Sequence, residues 1–207
     1  MDVIKGNNGR SCEKRCGALH LIMGPMYAGK STKLIQTFNE LDKSKDGQAK
    51  VVVITHAIEN RYSLDKLSSH DRKEVDCTKV SDIKTIINAC SNTISNDIQL
   101  ADYILLDEAQ FFPDLINTIE LVETFHKTVY VYGLDGDFKR NKFGSILELV
   151  PFCDTVQKLS GKCSHCDNKS HFSWRLSNDR TTQIVVGAAS EYVSLCRQCY
   201  MNMQCNV

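Results

Sequence analysis

The chain has 207 residues, 42% of them hydrophobic, with 25 basic and 25 acidic side chains that cancel to zero net charge. That length suits one α/β domain with a small appendage. The charge balance argues against a standing electrostatic footprint for DNA or RNA, and no stretch approaches the roughly 20 apolar residues of a membrane span.

Residues 1–17 are polar and lack the apolar run of a signal peptide, so a flexible arm on a cytoplasmic protein is expected. A short apolar run from Leu19 then ends in Gly24-Pro25-Met26-Tyr27-Ala28-Gly29-Lys30-Ser31, and a helix-like stretch follows. This is the G-x-x-x-x-G-K-S/T phosphate loop in the strand-to-helix context it needs. Its glycines allow backbone angles and close approaches that a Cβ would block. Loop N–H groups and the positive end of the helix face a polyphosphate. Lys30 would reach the β- and γ-phosphates of ATP, and Ser31 would hold Mg²⁺.

Leu34, Ile35, Phe38 and Leu41 mark one face of an amphipathic helix over 30–41. Val51–Thr55 is a β-branched run suited to a buried parallel strand. Residues 57–73 read as a long polar loop. Ile83, Ile86 and Ile87 predict a helix for which Ser81 is a candidate cap. Ala101–Asp107 is the next strand. Leu115–Phe125 reads as a helix, Thr128–Tyr132 as a strand and 133–143 as a loop. Ile146–Val150 reads as a short helix ending at Pro151, and Thr155–Leu159 as a last strand. Strands alternating with helices predict a doubly wound parallel sheet over 18–160.

Asp107 and Glu108 end an apolar strand, where ligands collect in such folds. Asp107 is the candidate anchor for Mg²⁺ and Glu108 the candidate proton acceptor for a hydroxyl nucleophile. Beyond the boundary, residues 161–207 carry two C-x-x-C pairs, Cys163/Cys166 and Cys196/Cys199, drawn from ten cysteines in all. Four thiolates so spaced suit a structural Zn²⁺ with no open position. A redox C-x-x-C would not need two copies. The insert Asp167–Leu195 exceeds the usual span of about 15–20 residues, so it must project as a loop. Phe172–Leu176 and Gln183–Val186 are candidates to pair as its stalk.

Together the stretches GPMYAGKST (24–32), NRYS (60–63), HDR (70–72), DEAQFFPD (107–114), LDGDFKRNKFG (134–144), LVPF (149–152), the cysteine pairs and VGAASEYVSLCRQCY (186–200) resemble the type II cytosolic thymidine kinases of cells and large DNA viruses. The resemblance implies a P-loop α/β domain, a zinc-bearing lasso domain and often a homotetramer. It implies transfer of the ATP γ-phosphoryl group to the 5′-hydroxyl of thymidine or deoxyuridine. It places Glu108 as the proton acceptor, and adds Arg61 and Gln110 to Asp107 as phosphate and metal contacts. Gln183, Ile184, Val185, Val186, Gly187 and Tyr192 fall in the lasso stretch that holds the base. Met26, Phe111, Leu134 and Phe143 fall in its apolar lining, with Phe138 and Ser173 at further substrate positions. Three departures stand out: Ala109 for a common Gly, Ser173 for Thr, and Glu59-Asn60 for Asp-Thr. The rival reading is an ATP-driven nucleic-acid motor, since DEAQ resembles a helicase box. A chain of this size lacks a second motor domain, and it has no basic excess.

Overall fold

A computed structural model describes residues 16–43, 49–58, 66–68, 74–92, 96–177, 181–183 and 191–205. The expected arm (all but its last two residues), Arg61 and residues 184–187 lie outside the described residues.

The strands are β1 (Ala18–Met23), β2 (Val51–His56), β3 (Lys66–Ser68), β4 (Glu74–Asp76), β5 (Thr78–Val80), β6 (Tyr103–Asp107), β7 (Thr128–Gly133) and β8 (Thr155–Lys158). Six of them form one parallel sheet in the order β5-β2-β6-β7-β1-β8. Helix α1 spans Lys30–Lys43, α2 Ile83–Ser91, α3 Asp97–Leu100 and α4 Thr118–Glu123. Residues along a strand alternate between faces, and the sheet uses both. On one side Leu21, Ile54, Leu106 and Val131 pack with Ile83, Ile86 and Leu121 of α2 and α4. On the other, Ile22, Val53, Leu105 and Tyr132 pack with Leu34 and Ile35 of α1. The result is the expected α/β sheet with helices on both faces. Since all six strands run one way, β1, β2, β6 and β7 deliver their carboxyl ends to one edge.

Several local expectations need correction. Asp82, not Ser81, caps α2: its extended backbone lets Oδ1 accept from Thr85 N at 2.8 Å, while the Ser81 carbonyl accepts from His56 Nε2 at 3.0 Å. The helix expected over 115–125 is split into a 3₁₀ turn, Leu115–Asn117, and α4. At the junction the Thr118 hydroxyl donates to Leu115 O at 2.6 Å. Pro151 does not end its helix but lies inside a 3₁₀ helix, Ile146–Phe152. The polar stretch 57–73 includes β3, which pairs with β4, and β5 extends the sheet where no strand was foreseen.

Past β8 come β9 (Gly161–Lys162), β10 (Lys169–Ser170), β11 (Phe172–Arg175), β12 (Tyr192–Leu195) and α5 (Arg197–Cys205). β9 pairs with β10, and β11 pairs with β12. Phe172–Arg175 thus pairs with Tyr192–Leu195, a pairing the sequence did not suggest, while residues 184–186 of the expected stalk lie outside the described residues. Trp174, Leu195 and Tyr200 form a small separate core with the cysteines.

Candidate active site and metal centre

The phosphate loop joins β1 to α1 on the face that α1 covers. At Gly24 a Cβ would come within 2.7 Å of Leu159 O, so only glycine fits against that strand end. Gly29 has φ +81°, and a Cβ there would meet nothing within 4 Å. The loop therefore has open space where a polyphosphate would approach, bounded by backbone. Lys30 Nζ donates to Gly24 O at 3.1 Å and Pro25 O at 2.9 Å, so its ammonium is held over the loop. Lys33 N donates to Gly29 O at 2.9 Å and starts the helix, with its positive end at the loop.

Asp107 ends β6, is 1% exposed, and lies in register with Thr55 of β2. Glu108 follows with φ 52°, a left-handed conformation that turns the chain out of the strand. Its carboxylate accepts from Gln110 Nε2 at 2.6 Å. Gln110 is itself fixed, since its Oε1 accepts from Leu134 N at 2.9 Å. Gly24 N donates to Gly133 O at 3.3 Å, next to Leu134. A continuous path thus links the loop, the end of β7, Gln110 and Glu108. The family resemblance puts Gln110 among the metal and phosphate contacts; in this structure its amide bridges the Glu108 carboxylate and Leu134 N. A Cβ at Gly133 would sit 2.7 Å from Gln110 Oε1, and one at Gly144 (φ +57°) 2.2 Å from Gln110 O. Both glycines protect this arrangement, and sequence reasoning missed that role.

The apolar candidates form two groups. Phe111 and Phe143 meet edge to face with centroids 5.6 Å apart. Phe138 is buried, and the Arg175 guanidinium lies 4.0 Å from its ring centroid. Arg175 is 0% exposed. It donates to Tyr192 Oη at 2.7 and 3.0 Å, to Gln183 O at 2.8 Å and to Thr182 O. Gln183 Nε2 donates to Asp137 Oδ2 at 2.9 Å. Tyr192, Phe138 and Gln183 are brought together by Arg175, a residue sequence reasoning passed over. Ser173 Oγ accepts from Met26 N at 3.0 Å, tying β11 to the phosphate loop.

The four cysteine sulfurs lie within 4.8 Å of one another. Cys166 Sγ is 3.6 Å from Cys196 Sγ and 3.7 Å from Cys199 Sγ. Tetrahedral Zn²⁺ with bonds of about 2.3 Å needs sulfurs about 3.8 Å apart, so the set fits the ion. The protonation states point the same way. Burial opposes ionisation of Cys163, but N–H groups of Cys196, His165 and Cys166 hold its thiol down at about 6. Cys199 is pushed up to about 12, first by the Cys196 sulfur beside it. Crowded thiolates repel one another, and a divalent cation removes the conflict.

The thymidine kinase family model matches residues 17–200. The chain belongs to the thymidine kinase family. It is 37% identical over 191 residues to "Thymidine kinase, cytosolic" of Cricetulus griseus, covering 92% of this chain and 76% of that protein. It is 34% identical over 207 residues to "Thymidine kinase" of Oryza sativa subsp. japonica, covering 98% and 74%. It is 36% identical over 189 residues to "Thymidine kinase" of Yaba monkey tumor virus (strain VR587), covering 91% and 97%. In this thymidine kinase family member the loop, Glu108 and the four cysteines all fall within the matched span. Among the described residues no helix is long and apolar enough to cross a membrane.

Proposed function

We propose that this protein phosphorylates the 5′-hydroxyl of thymidine and deoxyuridine, with ATP as donor. The observation that carries the reading is Glu108 held by Gln110 at the edge where the phosphate loop opens, in a chain of the thymidine kinase family. A bound ATP–Mg²⁺ supplies the transferable phosphoryl group and its charge neutralisation. The loop N–H groups from Gly24 to Ser31, Lys30 and Arg61 would hold the phosphates, and Asp107 with Ser31 would hold the ion. Glu108 would orient the acceptor hydroxyl and take its proton late in transfer, because the transition state is loose and positioning dominates.

Residues 18–160 are the nucleotide domain in this reading, and 161–207 the lasso domain that a structural Zn²⁺ closes. Met26, Phe111, Leu134, Phe138 and Phe143 would line the nucleoside site, with Ser173 and Tyr192 beside it. Gln183, Ile184, Val185, Val186 and Gly187 would read the base edge through main-chain groups, which are fixed donors and acceptors. Thymine offers an N3–H donor between two carbonyls, and cytosine reverses that pattern. A site built on such bonds rejects the mismatched analogue by roughly 10⁴–10⁵. A homotetramer in the cytoplasm completes the reading. No observation favours a nucleic-acid motor.

The test is transfer from labelled ATP to a nucleoside panel. Thymidine and deoxyuridine should be phosphorylated, and deoxycytidine and purine nucleosides should be poor. Comparable kcat/KM for deoxycytidine and thymidine would remove the base-reading argument.

A further inference from the structure

Thr55 is the penultimate residue of β2 and is 1% exposed, yet its Oγ1 finds no hydrogen-bond partner among the described residues. A buried hydroxyl left in that condition destabilises the fold, and such groups in native proteins call for a reason. Its position supplies one. Thr55 stands in register with Asp107 on the neighbouring parallel strand, as Val53 does with Leu105. Val53 and Leu105 pack against Leu34 and Ile35 of α1. Two residues further along each strand, Thr55 and Asp107 project to that same face. They therefore stand side by side at the carboxyl edge, on the side of the sheet that carries the helix opening with Lys30 and Ser31.

We propose that the Thr55 hydroxyl is a second holding point for the hydrated divalent ion that accompanies the nucleotide, acting with Asp107 on the ion's water shell. The inference rests on the reading that Asp107 anchors that ion. Mg²⁺ dehydrates reluctantly and keeps several waters in nucleotide sites. Its polarised waters need acceptors, and a hydroxyl is both acceptor and donor. The Thr55 oxygen can accept a hydrogen bond from such a water, which gives it the partner that the described residues do not provide. Thr55 is a positioning residue in this scheme, since it acts through water and touches neither ATP nor the nucleoside.

The test is Mn²⁺ binding by electron paramagnetic resonance, on the full chain with ADP, for wild type, Thr55→Val, Thr55→Ser and Asp107→Asn. Thr55→Val keeps the shape and deletes the hydroxyl. It should weaken Mn²⁺ binding in the ADP complex roughly three- to tenfold, as expected for one hydrogen bond. ADP affinity without the metal should stay unchanged, and the melting midpoint should match or exceed wild type, because an unsatisfied hydroxyl has gone. Thr55→Ser keeps the hydroxyl and should bind Mn²⁺ as wild type does. Wild-type Mn²⁺ affinity in Thr55→Val, with Asp107→Asn weakened, overturns the proposal and leaves Asp107 in place. Equal weakening in Thr55→Ser and Thr55→Val, or a midpoint in Thr55→Val well below wild type, also overturns it. Wild-type affinity in Asp107→Asn removes the underlying reading as well.

Discussion

The Arg175 guanidinium lies 4.0 Å from the ring centroid of Phe138 and holds Gln183 O at 2.8 Å, so one buried cation joins the loop after β7 to the residue that enters the lasso. Among the described residues it also donates to Tyr192 Oη and Thr182 O. A lysine cannot reproduce this fork, because it offers a point charge where the site is built for a planar set of donors. Arg175→Lys should raise the KM for thymidine at least tenfold, since hydrogen bonds to a charged group contribute about 1.5–3 kcal/mol and buried carbonyls would be stranded. The KM for ATP and the zinc content should stay near wild type. Steady-state kinetics with each substrate varied in turn checks the split.

Gln110 makes a different prediction. Its amide bridges Glu108 and Leu134 N, so in the proposed mechanism it would fix the base rather than bind phosphate. Gln110→Met keeps length and loses both hydrogen bonds. The expected result is a fall in kcat of about tenfold or more, with little change in KM for ATP, because geometry rather than affinity is lost. An unchanged kcat with a raised KM for ATP would return Gln110 to the phosphate side.

How much of this was legible beforehand differs by element. The phosphate loop and Asp107-Glu108 were plain because their chemistry is local: a few consecutive residues carry backbone angles, donors and carboxylates together. The cysteine pairs were equally legible, since two C-x-x-C spacings suffice to foresee that four sulfurs converge. The pairing of β11 with β12 was not foreseen because QIVV at 183–186 and YVSL at 192–195 both carry β-branched apolar residues, and alternation does not say which run pairs. Ser81 and Asp82 both suit a cap, and only the extended backbone at Asp82 decides. Arg175 was invisible for a stronger reason. Its partners sit at 138, 182, 183 and 192, and only the fold brings them to one side chain. Thr55 looked like the last residue of an apolar strand.

Zinc removal should act on the nucleoside before the nucleotide. Structural Zn²⁺ can contribute about 10–16 kcal/mol of apparent binding energy coupled to folding. A Zn²⁺ held by the four cysteines would support β11, β12 and α5, which bring Arg175 and Tyr192 together. Cys163→Ser, or chelation of the wild-type protein, should abolish thymidine binding while ADP binding survives. Calorimetry with each ligand, alongside metal analysis, checks this. Active protein with well under one zinc per chain would contradict it.

Acid should loosen the sheet edge that holds His56. Its Nδ1 accepts from Ile58 N at 3.1 Å and its Nε2 donates to Ser81 O at 3.0 Å, an arrangement only the neutral ring allows. Burial lowers its pKa, against smaller opposing effects from the Ser81 carbonyl and Asp82. The unfolded chain therefore takes up a proton near pH 6.5 that the folded chain refuses until lower pH, so stability falls as pH drops through that window. Melting midpoints measured from pH 7.5 to 5 should decline less in His56→Gln than in wild type.

The most direct test of the account is transfer from ATP to thymidine by Glu108→Gln, with ATP affinity measured on the same preparation. A general base adds about 10²–10⁴-fold. The account predicts a fall in kcat of that order with ATP binding intact. Near-wild-type turnover in Glu108→Gln would contradict it.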